Sequence, residues 1–101
     1  MSTSPSELRT PLAQHVTVTD DALVVDLLDG RTVSVPLSWY PRLVYGTPAE
    51  RSRWRFIGRG EGIHWPDLDE DISVTSLLAG RPSGETQRSL RQWLDSRQGA
   101  R

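Results

Sequence analysis

Residues 22–36 read ALVVDLLDGRTVSVP, two runs rich in β-branched and apolar residues on either side of Asp29-Gly30. An Asp-Gly pair between alternating hydrophobic runs is a strong short-range signal for a β-hairpin. The register follows from what each alignment would bury. A two-residue loop pairs Leu28 with Arg31, Asp26 with Val33 and Val24 with Val35, mixing apolar and charged side chains on one face. A three-residue loop, Leu28-Asp29-Gly30 with Gly30 in the left-handed conformation of a G1 bulge, pairs Leu27 with Arg31, Val25 with Val33 and Leu23 with Val35. That register places Leu23, Val25, Leu27, Val33 and Val35 on the inner face and Asp26, Thr32 and Ser34 on the outer one. The three-residue loop is expected, with Leu28 largely exposed.

Upstream, HVTVTD offers one more short strand, and residues 1–11, rich in Ser, Thr and Pro without periodicity, read as a mobile tail. Downstream of Pro36 the period changes. Ser38 is placed to cap a helix in which Trp39, Tyr40, Leu43 and Val44 recur at helical spacing, with Pro41 in the first turn and Gly46 as the stop. Thr47-Pro48-Ala49-Glu50 is a capping box with proline at the first helical position, so a second short helix begins there. WRFI and IHW read as strands around the turn GRGEG, and Pro66 ends the second. Ser73 is placed to cap the helix VTSLLA, closed by Gly80 and Pro82. SGETQRSLRQWLDSRQGA reads as a C-terminal helix whose apolar stripe, Leu90, Trp93 and Leu94, is narrow and suited to docking. The sum is an α+β fold, a small antiparallel sheet packed against short helices. The expected organisation is a tail over 1–11, one domain over 12–80 and a helical extension over 81–101.

The chain's 101 residues suit a single domain with one small core. With no cysteine it has neither disulfide staples nor thiolate metal sites, as suits a reducing compartment. The opening MSTSPSELRTPLAQ has no basic-then-apolar leader pattern, and no apolar run approaches a membrane span, so a cytoplasmic protein is expected. All twelve basic residues are arginine, a bias more telling of genome composition than of nucleic-acid binding. Their placement says more. Residues 42–60 carry five arginines against one glutamate, and residues 61–71 carry five acids and no arginine. Charge alternating in blocks suits internal pairing, or a partner of mixed sign, better than a polyanion.

The succession DGR, VPLSWYPRL, GTPAERSRW, IGRGEGIHWP and LDEDISVTSLLAG, in that order, resembles the bacterial domain-of-unknown-function family 2442 over about residues 14–80. The resemblance implies an α+β domain with a small antiparallel sheet and no assigned enzyme chemistry. It also implies a context, since members often sit beside a small partner of unknown-function family 4160 in an arrangement like a toxin–antitoxin pair. Some relatives carry a fused helix-turn-helix module, and with a single helix read after Pro82 none is expected here.

Among candidate sites, Asp67, Asp69 and Asp71 take the first, third and fifth places of a calcium loop. Ile72 then stands where the turn needs glycine, and Leu78 where the loop needs a bidentate glutamate. One histidine, His64, beside these carboxylates is a weak metal signal. The structural reading buries Leu68 and Ile72, sets the acids at or just before a helix N-terminus and pairs them with arginines of the 51–59 block. If that block is a strand, Arg51, Arg53 and Arg55 form a basic ladder on one face, able to meet RNA or an acidic partner. Nucleophilic catalysis lacks a cysteine and a serine elbow, with only His15 and His64 as bases. In WYPRL, aromatic residues and arginine together are the types that anchor protein interfaces.

These readings converge on a non-enzymatic, antitoxin-like interaction module that binds and masks a small protein partner, with no cofactor and no metal. The expected contacts are Trp39, Tyr40 and Arg42 as one patch and His64, Trp65, Asp67, Asp69, Glu70 and Asp71 as a second, charged patch. The alternative is a nucleic-acid-binding or transcription-control accessory acting through Arg51, Arg53, Arg55 and Arg59.

Overall fold

The computed structural model describes residues 10–99. The tail expected at 1–11 therefore lies outside the described residues, except for Thr10 and Pro11. Two antiparallel three-stranded meanders form the frame. The first holds β1 (Ala13–Val18), β2 (Ala22–Leu27) and β3 (Thr32–Pro36). The second holds β4 (Arg55–Ile57), β5 (Gly62–Trp65) and β6 (Glu70–Ser73).

The β2–β3 register pairs Leu23 with Val35 and Val25 with Val33, as the sorting of faces requires. The loop closes through Leu27 N–H to Arg31 C=O at 2.8 Å and Gly30 N–H to Leu27 C=O at 3.1 Å. Gly30 has φ +95°, a conformation in which a side chain would be strained. Leu23, Val25, Leu27 and Val35 are buried, Val33 is half-buried, and Leu28 is 59% exposed.

Between the sheets run α1 (Pro41–Val44) and α2 (Pro48–Ser52), and the chain continues through α3 (Val74–Leu78) to α4 (Gln87–Gly99). Ser38 does not cap α1. Leu37–Trp39 wind as a 3-10 turn, Tyr40 N–H bonds Leu37 C=O at 2.9 Å, and the α-helix begins at Pro41, whose missing N–H is harmless in the first turn. The capping box at Thr47 is complete, with Glu50 N–H on Thr47 Oγ1 at 3.1 Å and Thr47 N–H on Glu50 Oε1 at 2.9 Å. Ser73 caps α3 through Ser76 N–H at 3.0 Å.

One continuous core draws on both sheets, on α1 and α3, and on α4. Leu23, Val25, Leu43, Ile63, Trp65, Leu68 and Val74 have no exposed surface. Burying a large apolar side chain of this kind contributes roughly 1.5–3 kcal/mol. Trp93 is buried and Leu90 and Leu94 pack beside it, so the narrow stripe of α4 docks on its own domain.

Candidate functional site

The acidic run is the loop of a hairpin, not the lead-in to a helix. Trp65 and Glu70 close it as the last β5–β6 pair, Leu68 N–H bonds Trp65 C=O at 3.2 Å, and Asp69 takes the left-handed conformation at φ 51°. Asp residues tolerate that conformation better than most, which suits Asp69 to this turn. Leu68 anchors the loop from below. A Cβ on Gly46 would lie 2.8 Å from Leu68 Cδ1, so the chain between α1 and α2 can approach that closely only as glycine.

Strand parity sorts the second sheet. Phe56, Ile63 and Ile72 share one row across it, while Arg55, His64 and Asp71 share the row that faces the other way. Trp65 and Glu70 therefore lie on the inner face, and His64 and Asp71 on the outer, where imidazole Nδ1 meets the Asp71 carboxylate. The expected role of Trp65 as a partner contact is corrected on this point: it is wholly buried, and its indole N–H is used internally on Arg51 C=O at 3.0 Å. Tyr40 is corrected likewise. It is 3% exposed and its hydroxyl bonds Arg81 C=O at 3.4 Å. Trp39 is half-buried against the core, and its carbonyl accepts from Ser83 N–H at 3.0 Å.

Arg42, Asp69, Glu70 and Asp71 do come together, around an open cleft of about 380 Å³ completed by Ser83–Thr86 and Ser89. Arg42 is the hub. It donates to Glu85 Oε1 at 2.5 Å and Oε2 at 3.2 Å, to Asp69 C=O at 2.9 Å, and to the Asp69 carboxylate at 3.5 Å. Its hydrogen bond to Glu85 raises the Arg42 pKa and holds the Glu85 carboxyl below the usual range, and Ser89 Oγ also donates to Glu85. Glu70 lies among these groups without sharing in them. Its Oε1 accepts Asp71 N–H at 3.1 Å, while Oε2 is buried with no hydrogen-bond partner among the described residues. Burial pushes its pKa up to about 6. Burial, with the nearby Glu70 charge, raises Tyr40 as well.

The far end of α4 is fastened in the same style. Arg97 donates to Glu50 at 2.8 Å and to Asp67 C=O at 3.2 Å. Arg42 and Arg97 stand over the Trp93 ring at 5.2 and 4.6 Å from its centroid, a pair of cation–π contacts. Sequence reasoning did not find Glu85, Ser89 and Arg97. The signals were a Thr86 that caps through Ser89 N–H at 3.0 Å with Glu85 just before it, and an arginine one turn beyond Trp93 on the helix.

The basic ladder does not form, because the α2 capping box carries helix through Ser52 and only Arg55 of the three lies in a strand. Arg51 turns inward to Leu43 C=O at 2.7 Å, Val44 C=O at 2.8 Å and Asp20 at 3.3 Å. Arg53 pairs with Asp67 at 2.5 Å. Arg55 and Arg59 are exposed and have no ion-pair partner among the described residues. No group of three or more metal-ligating side chains converges among the described residues, and no helix there is long and apolar enough to cross a membrane.

Fold and site define a small α+β domain of two three-stranded meanders, with a charged cleft at the foot of a docked helix. The chain belongs to a family described as a protein of unknown function, DUF2442, which matches residues 13–83. It is similar in structure to a crystallised protein of unknown function from Rhodospirillum rubrum. That likeness has a TM-score of 0.64 and 27% identity, covering 79% of this chain and 96% of the other. It is also similar to an uncharacterized protein from Chromobacterium violaceum solved by NMR in solution, with a TM-score of 0.62 and 19% identity over 80% of this chain and 74% of that one. No curated protein matches.

Proposed function

We propose that this chain is a cytoplasmic, non-enzymatic interaction module, antitoxin-like, whose acidic hairpin loop binds and masks a small basic partner protein. The observation that carries the reading is the cleft beside Arg42. Asp69, on the hairpin loop, and Asp71, at the start of β6, present side chains 87% and 66% exposed at its edge, and the loop is anchored by the burial of Leu68 and Trp65. A preset carboxylate array of this kind serves association rate and specificity toward a basic surface. Trp65, Tyr40 and Leu68 set the loop from beneath, and Arg42 holds its backbone. The partner expected from the family's context is a small protein of unknown-function family 4160.

The test is coexpression of the tagged chain with its genomic neighbour, followed by pull-down with and without nuclease. A stoichiometric, nuclease-resistant complex is expected, and the double charge reversal Asp69→Lys with Asp71→Lys should weaken it by at least about tenfold. A failure of the unaltered pair to bind would overturn the reading. Exposed, unpaired Arg55 and Arg59 support a second reading, RNA or DNA contact at the β4 edge. In that case Arg55→Glu with Arg59→Glu abolishes nucleic-acid retention and leaves protein binding intact.

A further inference from the structure

Glu70 is an unusual residue in its place. Opposite the fully buried Trp65, and on the same face as Ile72, it sits where an apolar side chain would complete the core. One of its oxygens is buried without a hydrogen-bond partner among the described residues. The charged and titratable groups around it come from every neighbouring element. Tyr40 precedes α1, Arg42 belongs to α1, Asp69 and Asp71 flank Glu70 itself, and Arg81 and Glu85 lie on the connection from α3 to α4. Asp71 is engaged by His64. Arg42 is committed to Glu85 and Asp69, and Arg81 holds the Tyr40 hydroxyl only through its carbonyl. Of the surrounding cations, Arg42 is the one whose charge acts on the Glu70 carboxyl, and Arg42 also fastens the start of α4. The cleft beside it leaves room for the guanidinium to turn.

We propose that docking of α4 is gated by a proton on Glu70, with Arg42 as the shared counter-ion. A neutral Glu70 leaves Arg42 to hold Glu85 and the foot of the helix. An ionised Glu70 competes for Arg42 and repels Glu85, and the helix loosens. The sign follows from linkage. The docked state holds the Glu70 proton more tightly than an ordinary glutamate does, since burial raises its pKa from 4.5 to about 6, so docking weakens as pH rises from the lower value to the higher and levels off above it. At the acid end Glu85 and Glu50 act oppositely. Their bonds to Arg42 and Arg97 hold both carboxyls below the usual range, so protonating them in stronger acid also undocks the helix. Docking is tightest in a mildly acidic window and looser on either side. This device stands apart from what the cleft binds.

The experiment is amide hydrogen exchange on the intact chain, corrected for intrinsic exchange, with α4 amides compared with those of β2. Between about pH 5 and about pH 7.5 the protection of α4 relative to β2 should fall about tenfold, as one unit of proton linkage gives. Glu70→Gln should abolish the fall, whereas His64→Gln should leave it in place. A ratio that does not change with pH, or a fall that persists in Glu70→Gln, overturns the proposal. Should Glu70→Gln not fold, the carboxyl carbon of Glu70 is titrated by NMR in the unaltered chain. The loss of α4 protection must run from the ordinary glutamate range up to the Glu70 midpoint and level off above it, and a loss lying outside that interval overturns the gate.

Discussion

The two sheets share strand number and meander order, yet they use their inner faces differently. In the first, Ala13, Val16, Leu23, Val25, Leu27 and Val35 make an inner surface that is apolar throughout, and the polar side chains of β3 face outward. In the second, the inner row that holds Trp65 also holds Glu70, and the loop above it carries the exposed acids. A sheet with only apolar residues inside is stable whatever the pH. A sheet with a carboxylate inside accepts a stability cost that varies with protonation. The first sheet is the frame, and the second supports the charged surface.

The comparison rests on both sheets being equally structural at their cores. Trp65→Ala should cost about 3–5 kcal/mol and Leu23→Ala about 2–5 kcal/mol in urea unfolding. A Trp65 variant losing under about 1 kcal/mol would remove the second sheet from the core and restore Trp65 as a surface contact. Next, Trp93→Ala should cost about 3 kcal/mol, because it removes a buried indole along with two cation–π contacts. A smaller loss, with the chain still cooperative, would make α4 an appendage and not part of the core.

Glu70→Gln sharpens the contrast between the sheets. The unaltered protein carries the penalty of an ionised, partly buried glutamate above about pH 6, so the variant should be more stable there by about 1 kcal/mol once solvent screening is allowed for. The advantage should shrink as pH falls and vanish below 4.5, where the carboxyl is neutral folded or unfolded. Stability curves of both proteins against pH measure this directly. The smallest effect belongs to the first sheet. Leu28→Ser, on an exposed loop residue, should shift stability by less than about 0.5 kcal/mol.

The first sheet was legible because strict alternation and an Asp-Gly loop leave only one register that sorts the faces. The capping box at Thr47, the Ser73 cap and the docking stripe of α4 were legible for similar local reasons. The second sheet was legible only in part: WRFI and IHW read as strands, but β6 did not, because it begins in the acids Glu70 and Asp71, which read by composition as a solvated lead-in to the Ser73 cap. Only the pairing of Glu70 with Trp65, set by the register of the β5–β6 hairpin, turns that glutamate inward. The arginine block failed differently. The Thr47 box extends helix to Ser52, so a ladder read from alternation never forms. Of the residues expected as contacts, Arg42, Asp69, Glu70 and Asp71 line one cleft. The aromatic residues Tyr40 and Trp65 were named for their chemistry, but their depth depends on packing, which no short window of sequence carries.

The pair of cation–π contacts on Trp93 makes α4 optically addressable. An indole with two guanidinium groups over its ring lies in a strong local electric field, and removal of that field displaces its emission. Trp65, sealed in the core, keeps its colour until the whole domain opens. Departure of the helix and collapse of the domain thus write different spectra in the same chain, with no dye attached.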